Sequence, residues 1–153
     1  MLAVGARAPE FTLPDHDGRD VSLSALLNNG PLVLFFYPAD FTPVCTKEVC
    51  MVRDLFAEIS QRGLNAAGIS PQSPDSHRRF RGKHSLPFTL LSDDDKSVVR
   101  MYEVNGLLGF SVRRVSYLID PARYIRDSVL ADFRIDRHEE FIRKALALSR
   151  TGR

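Results

Sequence analysis

The sequence contains only two cysteines, Cys45 and Cys50, in 153 residues. Two thiols are too few for a four-cysteine zinc site and too few for the disulfide framework of a small secreted domain. A chain of this length buries enough apolar surface to fold without such cross-links. The two cysteines are therefore available for chemistry rather than needed for stability.

Long apolar segments are also missing. The longest strongly apolar run, residues 32–37, has six residues, whereas a membrane-spanning helix needs about 20. The opening segment MLAVGARAPEF lacks the charged start and the apolar core of a signal peptide. We therefore expect a cytoplasmic protein without membrane contact, in a compartment where thiols stay reduced.

Charge and histidine content do not indicate nucleic-acid or metal binding. The formal net charge is +2, from 21 Lys and Arg against 19 Asp and Glu. A solvated helix face explains the basic cluster HRRFRGKH at 77–84 better than a nucleic-acid site does. We expect no metal and no cofactor, because metal-ligand spacing is absent among the four histidines, which are His16, His77, His84 and His138.

Strand and helix patterns alternate along the chain. The dipeptide Asp17-Gly18 favours a β-hairpin near the N-terminus. Residues 31–38, PLVLFFYP, are apolar on both faces, which is typical of a buried central strand. Between positions 45 and 62 the apolar residues follow the 3.6-residue period of a helix, and Gly63 predicts its end. Further strands are predicted at 64–70, 88–93, 112–120 and 124–130, with helices after the cap Ser73 and at 94–102.

The last helix is predicted to begin after Asp136, because Glu139 three residues later completes a capping box. It would run to about residue 149, with 149–153 as a frayed tail. No repeat, linker or low-complexity segment divides the chain, so residues 1–153 are expected to form one domain. The predicted fold class is α/β, with a central mixed β-sheet flanked by helices and an N-terminal β-hairpin. This element order resembles the thioredoxin-like fold.

Cys45 lies where the predicted central strand gives way to a helix. At a helix start, free N–H groups and the positive end of the helix dipole favour a thiolate over a thiol. A nearby cation would be needed to complete the activation. The alternative is that Cys45 is a small buried hydrophobic residue.

Cys50 lies five residues further along the same helix. In a regular helix it is rotated by about 140° and displaced by about 7.5 Å from Cys45, so the Cα atoms are about 8 to 9 Å apart. A disulfide needs a Cα separation below about 7 Å, so the helix must unwind before the sulfurs can bond. The spacing also excludes a C-x-x-C redox pair and a zinc knuckle. Cys50 is then either an unrelated core cysteine or a resolving thiol.

Pro38, Thr42 and Cys45 form the pattern P-x-x-x-T-x-x-C, which resembles the active-site signature of the peroxiredoxins. The wider segment FYPADFTPVCTKEVC, residues 36–50, is similar to the bacterioferritin comigratory protein (Q-type) subgroup. The likeness extends over residues 68–93, GISPQSPDSHRRFRGKHSLPFTLLSD, and residues 113–120, RRVSYLID. It departs at Val44, where many relatives have glycine.

This resemblance implies a thiol-dependent peroxidase that acts on hydrogen peroxide and organic hydroperoxides. The Cys45 thiolate would attack the terminal peroxide oxygen and become a sulfenic acid. The Thr42 hydroxyl would hold thiolate and peroxide by hydrogen bonds, and Pro38 would shield the sulfur from water. Arg114 would stabilise the developing charge, and Glu48 would orient that arginine.

Several of these roles have alternatives. Pro38 can simply end a strand, Thr42 can be a local turn hydroxyl, and Glu48 can be an exposed residue of the first helical turns. Arg113 competes with Arg114, because neighbouring strand residues point to opposite faces. The apolar segment GLLGF at 106–110 would line the substrate entrance, form a dimer contact or pack on the site loop.

The resemblance also implies that Cys50 is the resolving cysteine. It would condense with the sulfenic acid on Cys45 to an intramolecular disulfide, which thioredoxin or a similar dithiol would reduce. We expect a monomer or a weak dimer. The alternative function is a redox-sensing binding protein that uses the same two cysteines as a switch.

Overall fold

A β-sheet of mixed strand direction lies at the centre of the computed structural model, which describes residues 1–109 and 111–151. The strands are β1 (Thr12–Pro14), β2 (Asp20–Ser22), β3 (Leu32–Phe36), β4 (Asn65–Ser70), β5 (Thr89–Ser92), β6 (Val115–Ile119) and β7 (Ile125–Leu130). The helices are α1 (Leu23–Leu26), α2 (Pro43–Gln61), α3 (Pro74–His84), α4 (Ser97–Met101) and α5 (Ile135–Thr151), with a 3₁₀ turn at Leu107–Gly109.

The central sheet has the strand order β5-β4-β3-β6-β7. The strands β3, β4 and β5 are parallel, whereas β6 is antiparallel to β3 and β7 is antiparallel to β6. β1 and β2 form a separate antiparallel hairpin, and Gly18 in its turn has a φ of +79°. The predicted α/β architecture, with a mixed sheet, flanking helices and an N-terminal hairpin, is confirmed.

Two apolar cores cover the two faces of the sheet. Every residue of β3 is buried, because alternate side chains enter opposite cores. One core takes Leu32, Leu34 and Phe36 together with residues of α1, α4 and the hairpin. The other takes Val33 and Phe35 together with residues of α2, α3 and α5. The central strand, from which the chain leads towards α2, is therefore packed on both faces.

The start and end of α2 are close to those predicted. The helix begins at Pro43, so Cys45 is its third residue, and it ends at Gln61. Gly63 has a φ of +77°, the left-handed conformation that glycine adopts after a helix end without a steric penalty. None of the helices in the described part of the chain combines the length and the apolar character needed to cross a membrane.

The C-terminal part differs from the prediction in two ways. The last helix begins at Ile135, so Asp136 lies inside the first turn and binds the side chain of Arg134 instead of capping the helix. The helix continues to Thr151, so the predicted tail is helical over 149–151, while 152–153 lie outside the described residues. In the predicted apolar segment 106–110, Leu108 is 84% exposed and residue 110 lies outside the described residues.

Candidate active site

Cys45 lies in the first turn of α2. The chain leaves β3 at Phe36, passes through a loop and enters the helix after Thr42, with Pro43 as the first helical residue. Proline suits this position because its missing N–H would have no partner inside the helix. The first N–H groups of a helix have no intrahelical acceptors, and the helix dipole adds partial positive charge there. Cys45, the third residue of α2, therefore lies in a region of partial positive charge.

Arg114 is the cation beside the sulfur. Its Nη2 lies 3.3 Å from Cys45 Sγ, and its Nη1 donates to Oε1 of Glu48 at 2.7 Å. Its Nε donates to the backbone carbonyl of Asp132 at 2.9 Å. The side chains of Cys45, Glu48 and Arg114 are all buried. Because water is largely excluded, these charges interact more strongly than they would at the surface.

The pKa values of Arg114 and Glu48 reflect opposite balances between burial and ion pairing. Burial alone would lower the pKa of Arg114, but the Glu48 carboxylate and the Cys45 sulfur raise it above its ordinary value. Burial raises the pKa of Glu48, and His138 and Arg114 offset this only in part. Arg114 therefore stays charged, whereas Glu48 is the member of the pair that gains a proton more easily.

Arg113, the competing arginine, points away from the sulfur. Its Nη2 lies 2.7 Å from Oδ2 of Asp132, and its side chain is 43% exposed. Asp132 also accepts the backbone N–H of Arg114 through Oδ1 at 3.1 Å. Both arginines precede β6, and their side chains diverge around Asp132. The structure therefore brings Arg114, and not Arg113, to Cys45.

Thr42 is exposed and forms the N-cap of α2. Its hydroxyl donates a hydrogen bond to the carbonyl of Ala39 at 2.9 Å. A hydroxyl has one hydrogen and two lone pairs. With the hydrogen on Ala39, the lone pairs of Thr42 are left to accept an O–H group from outside the protein.

Pro38 is half-buried and lies on the wall of a cavity of about 290 Å³. The same cavity is lined by Arg114, Val112 and Phe133, and the side chain of Phe133 is 82% exposed. The rest of the lining is polar and comes from Ser111, Arg113 and Asp132. The cavity therefore combines apolar walls with the Arg114 guanidinium.

Cys50 lies on a different side of α2. It is half-buried at a groove of about 450 Å³ that is also lined by Lys47, Met51, Glu139 and Arg143. Both cysteines are free thiols and are not at disulfide distance. The prediction that the helix excludes a static bridge is therefore confirmed.

Asp40, which the sequence analysis did not single out, is buried five residues before Cys45. Its carboxylate accepts hydrogen bonds from Tyr37 Oη at 2.6 Å and from Ser76 Oγ at 2.7 Å. Nδ1 of His77 lies 2.8 Å from Oδ2 of Asp40. These contacts connect the site loop to the end of β3 and to α3. The available signal was the position of His77 three residues before Phe80, on the buried face of α3.

His138 is a second buried histidine that sequence analysis missed. Its Nδ1 lies 2.8 Å from Ser116 Oγ and 3.7 Å from Oε2 of Glu48, and its Nε2 lies 2.9 Å from the carbonyl of Ala131. In the sequence, His138 follows Ile135 by three residues and precedes Phe141 by three, which places it on the apolar face of α5.

Among residues 1–109 and 111–151, no group of three or more His, Cys, Asp or Glu side chains is placed to hold a metal ion. His77 and His138 each direct both ring nitrogens at protein atoms. These two histidines therefore belong to the hydrogen-bond networks of the protein itself.

Comparison with known proteins gives the class to which this site belongs. Residues 4–128 match the sequence profile of the AhpC/TSA family, and the chain belongs to that family. The crystal structure of Peroxidoxin BcpB from Mycobacterium tuberculosis has a TM-score of 0.90 and 38% sequence identity, over 100% of this chain and 99% of that chain. The predicted thioredoxin-like peroxiredoxin fold is thus confirmed.

Two further relatives narrow the resemblance. The chloroplastic peroxiredoxin Q of Oryza sativa subsp. japonica is 40% identical over 138 residues, which is 90% of this chain, and the chain spans 63% of that relative's length. The bacterioferritin comigratory protein of Xanthomonas campestris, whose alkyl peroxide reduction activity has been studied structurally, is 26% identical with a TM-score of 0.80, over 90% of each chain. The predicted similarity to the Q-type subgroup is confirmed.

Proposed function

We propose that this chain is a thiol peroxidase that reduces hydrogen peroxide and organic hydroperoxides, with Cys45 as the nucleophile. The observation that carries the proposal is the 3.3 Å contact between Arg114 Nη2 and Cys45 Sγ at the start of α2. The cation and the helix dipole both favour the thiolate, which is the reactive form of cysteine. Glu48 holds the guanidinium in place through the second terminal nitrogen, Nη1.

In the first step, the thiolate of Cys45 attacks the terminal oxygen of the hydroperoxide. The S–O bond forms as the O–O bond breaks, and two electrons pass from sulfur to the peroxide. Cys45 becomes a sulfenic acid, and the leaving hydroxide or alkoxide takes a proton from water to give water or an alcohol. Thr42 would accept the peroxide O–H, and Arg114 would stabilise the negative charge on the leaving oxygen.

The cavity beside Arg114 is the proposed entrance for the substrate. Pro38 and Val112 present apolar wall, and Phe133 adds exposed aromatic surface at the mouth. Apolar walls favour hydroperoxides that carry an alkyl group, because these bury apolar surface on binding. The alkyl peroxide reduction studied in the Xanthomonas campestris relative supports the same substrate class.

In the second step, the Cys50 thiol is proposed to attack the sulfenic sulfur of Cys45. The S–S bond forms and the hydroxyl of the sulfenic acid leaves as water after taking the thiol proton. Because the two residues lie on different sides of α2, its first turns must unwind before the sulfurs meet. Cys50 is half-buried beside an open groove, so its sulfur would be within reach of a reductant.

The cycle is completed by thioredoxin or a similar dithiol, which would reduce the disulfide by thiol exchange and leave both cysteines as thiols. The proposed protein is therefore an atypical two-cysteine peroxiredoxin. Because the cycle needs a steady supply of reduced dithiol, the proposed location is the cytoplasm, where such donors are kept reduced. Each proposed step uses residues of one chain, which suits a monomer or a weak dimer.

Peroxide-dependent NADPH oxidation, coupled through thioredoxin and thioredoxin reductase, tests the first step. The wild-type protein is expected to turn over many times, and Cys45→Ser is expected to lose turnover to the uncatalysed background. Full turnover by Cys45→Ser would rule out Cys45 as the nucleophile. A wild-type protein that oxidises once and then stops with every dithiol donor would instead favour the redox sensor.

Cys50→Ser is the matched variant for the second step. It is expected to keep a rapid single oxidation of Cys45 and to lose turnover driven by thioredoxin. Non-reducing mass spectrometry of tryptic peptides after one equivalent of peroxide should show Cys45 joined to Cys50 within one chain. Unchanged turnover by Cys50→Ser would return Cys50 to the role of a core cysteine.

A further inference from the structure

His138 is a buried titratable residue for which the proposed cycle has no use. It lies on α5, and its side chain is fully inaccessible to solvent. Its Nε2 lies 2.9 Å from the carbonyl oxygen of Ala131. A carbonyl oxygen only accepts hydrogen bonds, so Nε2 must carry the hydrogen. The protonation state of the ring therefore depends on Nδ1 alone.

Glu48 presents an unpaired oxygen to this Nδ1. Its Oε1 accepts from Arg114 at 2.7 Å, whereas its Oε2 is buried without a hydrogen-bond partner among the residues that the structure describes. Oε2 faces Nδ1 of His138 across 3.7 Å. An unpaired buried acceptor costs about 1–3 kcal/mol, and more when it is charged. A proton on Oε2 neutralises the carboxylate, and a proton on Nδ1 places a positive charge 3.7 Å from it, so either position lowers this cost.

The charged groups around this pair come from three other parts of the fold. The helix α2 contributes Cys45 and Glu48, and the segment before β6 contributes Arg114. The loop after β7 contributes Asp132, whose carboxylate pairs with Arg113 and accepts the N–H of Arg114. The strand β6 contributes only the neutral Ser116, whose Oγ lies 2.8 Å from Nδ1.

The charges of the Cys45 thiolate, of Arg114 and of the Glu48–His138 pair sum to zero only if the pair holds one added proton. If Glu48 is ionised and His138 is neutral, the carboxylate cancels the charge of Arg114, and the Cys45 thiolate has no net positive partner. If the pair holds one proton, it is neutral as a unit, whether the proton sits on the carboxylate or on the imidazole. The full charge of Arg114 then remains available to the thiolate.

We propose that His138 is a positioning residue of the Cys45 site: Glu48 and His138 together hold one proton, on Oε2 or on Nδ1, and so reserve the charge of Arg114 for the thiolate. This inference rests on the proposed role of Cys45. It assigns the site a fourth group, contributed by the C-terminal helix, which acts through Glu48 and Arg114 and does not touch the sulfur.

The variant His138→Gln tests the proposal, because glutamine can donate to Ala131 but cannot hold the shared proton. Reactivity of Cys45 is measured as the rate of alkylation by iodoacetamide across a pH series, in a Cys50→Ser background. The midpoint of the rate profile is expected to rise by about one pH unit, with about a tenfold lower rate on its acid side. Ser116→Ala removes the neutral partner of Nδ1 and is expected to leave the midpoint in place.

A double variant separates charge from structure. With Glu48→Gln already present there is no carboxylate to neutralise, so adding His138→Gln is expected to leave the midpoint of the Glu48→Gln protein unchanged. An equal shift in both backgrounds would show that His138 only packs α5 against the site, and would overturn the proposal. A wild-type midpoint in His138→Gln would overturn it as well.

The wild-type protein gives a test that no folding defect can obscure. Nitrogen NMR of the His138 ring and carbon NMR of the Glu48 carboxyl report where protons are bound at neutral pH. One proton shared by the pair is expected. A neutral ring together with an ionised carboxylate would overturn the proposal. Because neither NMR nor alkylation uses peroxide, failure of this proposal is distinguishable from failure of the proposed peroxidase function.

Discussion

Asp40 and Glu48 are two buried carboxylates that lie on either side of Cys45 in the sequence, and both face a fully buried histidine. In each case Nε2 of the histidine lies beside a backbone carbonyl, that of Leu91 for one and that of Ala131 for the other. The surroundings of the carboxylates differ. Asp40 has three side-chain hydrogen-bond partners, whereas Glu48 has one, Arg114, and its Oε2 has none among the residues that the structure describes.

This difference indicates that Asp40 has a structural role, whereas the charge of Glu48 can change. Tyr37, Ser76 and His77 together use both oxygens of Asp40, so its network is closed, and it joins the site loop to the sheet and to α3. Glu48 has an oxygen left over, so a change of charge there can reach Cys45 through Arg114. A satisfied buried carboxylate fixes a conformation, and a half-satisfied one adjusts a charge.

Removing Asp40 is expected to have the largest effect on stability. Asp40→Ala leaves His77 and two hydroxyls without their buried acceptor, and loss of one partner from a buried pair costs about 3–5 kcal/mol. Urea unfolding gives the change in unfolding free energy. The exposed Asp54 supplies the control, because Asp54→Ala is expected to stay within about 0.5 kcal/mol of wild type. A loss below about 1 kcal/mol in Asp40→Ala would contradict a structural role.

Replacing Arg114, the ion-pair partner of Glu48, is expected to slow the oxidation of Cys45. Arg114→Lys keeps the positive charge but loses the fork that reaches Cys45 and Glu48 together. The single-turnover rate of Cys45 oxidation, followed by stopped flow, is expected to fall about 100-fold, or about 2.7 kcal/mol. Arg113→Lys is the matched control, since its ion pair is partly exposed and worth at most about 1 kcal/mol. Equal losses in the two variants would remove the distinction between the arginines.

The smallest expected effect is on how the unfolding free energy depends on pH. Because burial raises the pKa of Glu48 above its value in the unfolded chain, the folded state binds this proton more tightly. Its contribution to stability is therefore present at low pH and is lost as pH rises through the folded pKa. Glu48→Gln removes this titration, so the unfolding free energy of the variant minus that of wild type should increase with pH, by at most about 1.4 kcal/mol per unit.

Urea unfolding at a series of pH values between 4 and 8 measures this slope. Ser116→Ala, a change at a neutral neighbour of His138, checks that the slope belongs to the carboxyl group. A difference that decreases with pH would mean that the folded state prefers Glu48 ionised. Asp40 and Glu48 would then differ only in the number of hydrogen bonds that each carboxylate accepts.

Much of the site was predictable because it is local in sequence. Cys45, Thr42 and Glu48 lie within two turns of one helix, so periodicity and the family signature place them together without any knowledge of the fold. The same helix geometry predicted that Cys45 and Cys50 do not form a static bridge. The contact of Arg114 with the sulfur, 69 residues away in sequence, came only from the resemblance.

The buried histidines were not predictable in the same way. His77 meets Asp40 across 37 residues and His138 meets Ser116 across 22, and no local pattern encodes such pairs. A histidine on an apolar helix face predicts burial but does not name its partner. The start of α5 was misplaced for a different reason, because a local alternative won: Asp136 pairs with Arg134, two residues away, in place of the expected cap.

Thr42 gives the start of α2 a further property. Among the residues that the structure describes, its side chain makes no capping hydrogen bond to the helix, and a missing cap leaves a helix start about 1 kcal/mol easier to open. In the proposed cycle, the sulfenic acid on Cys45 would meet either Cys50 or a second peroxide, which would carry it irreversibly to sulfinic acid. A first turn that opens readily favours Cys50 in this kinetic competition, so the uncapped helix start would protect the protein from its own substrate.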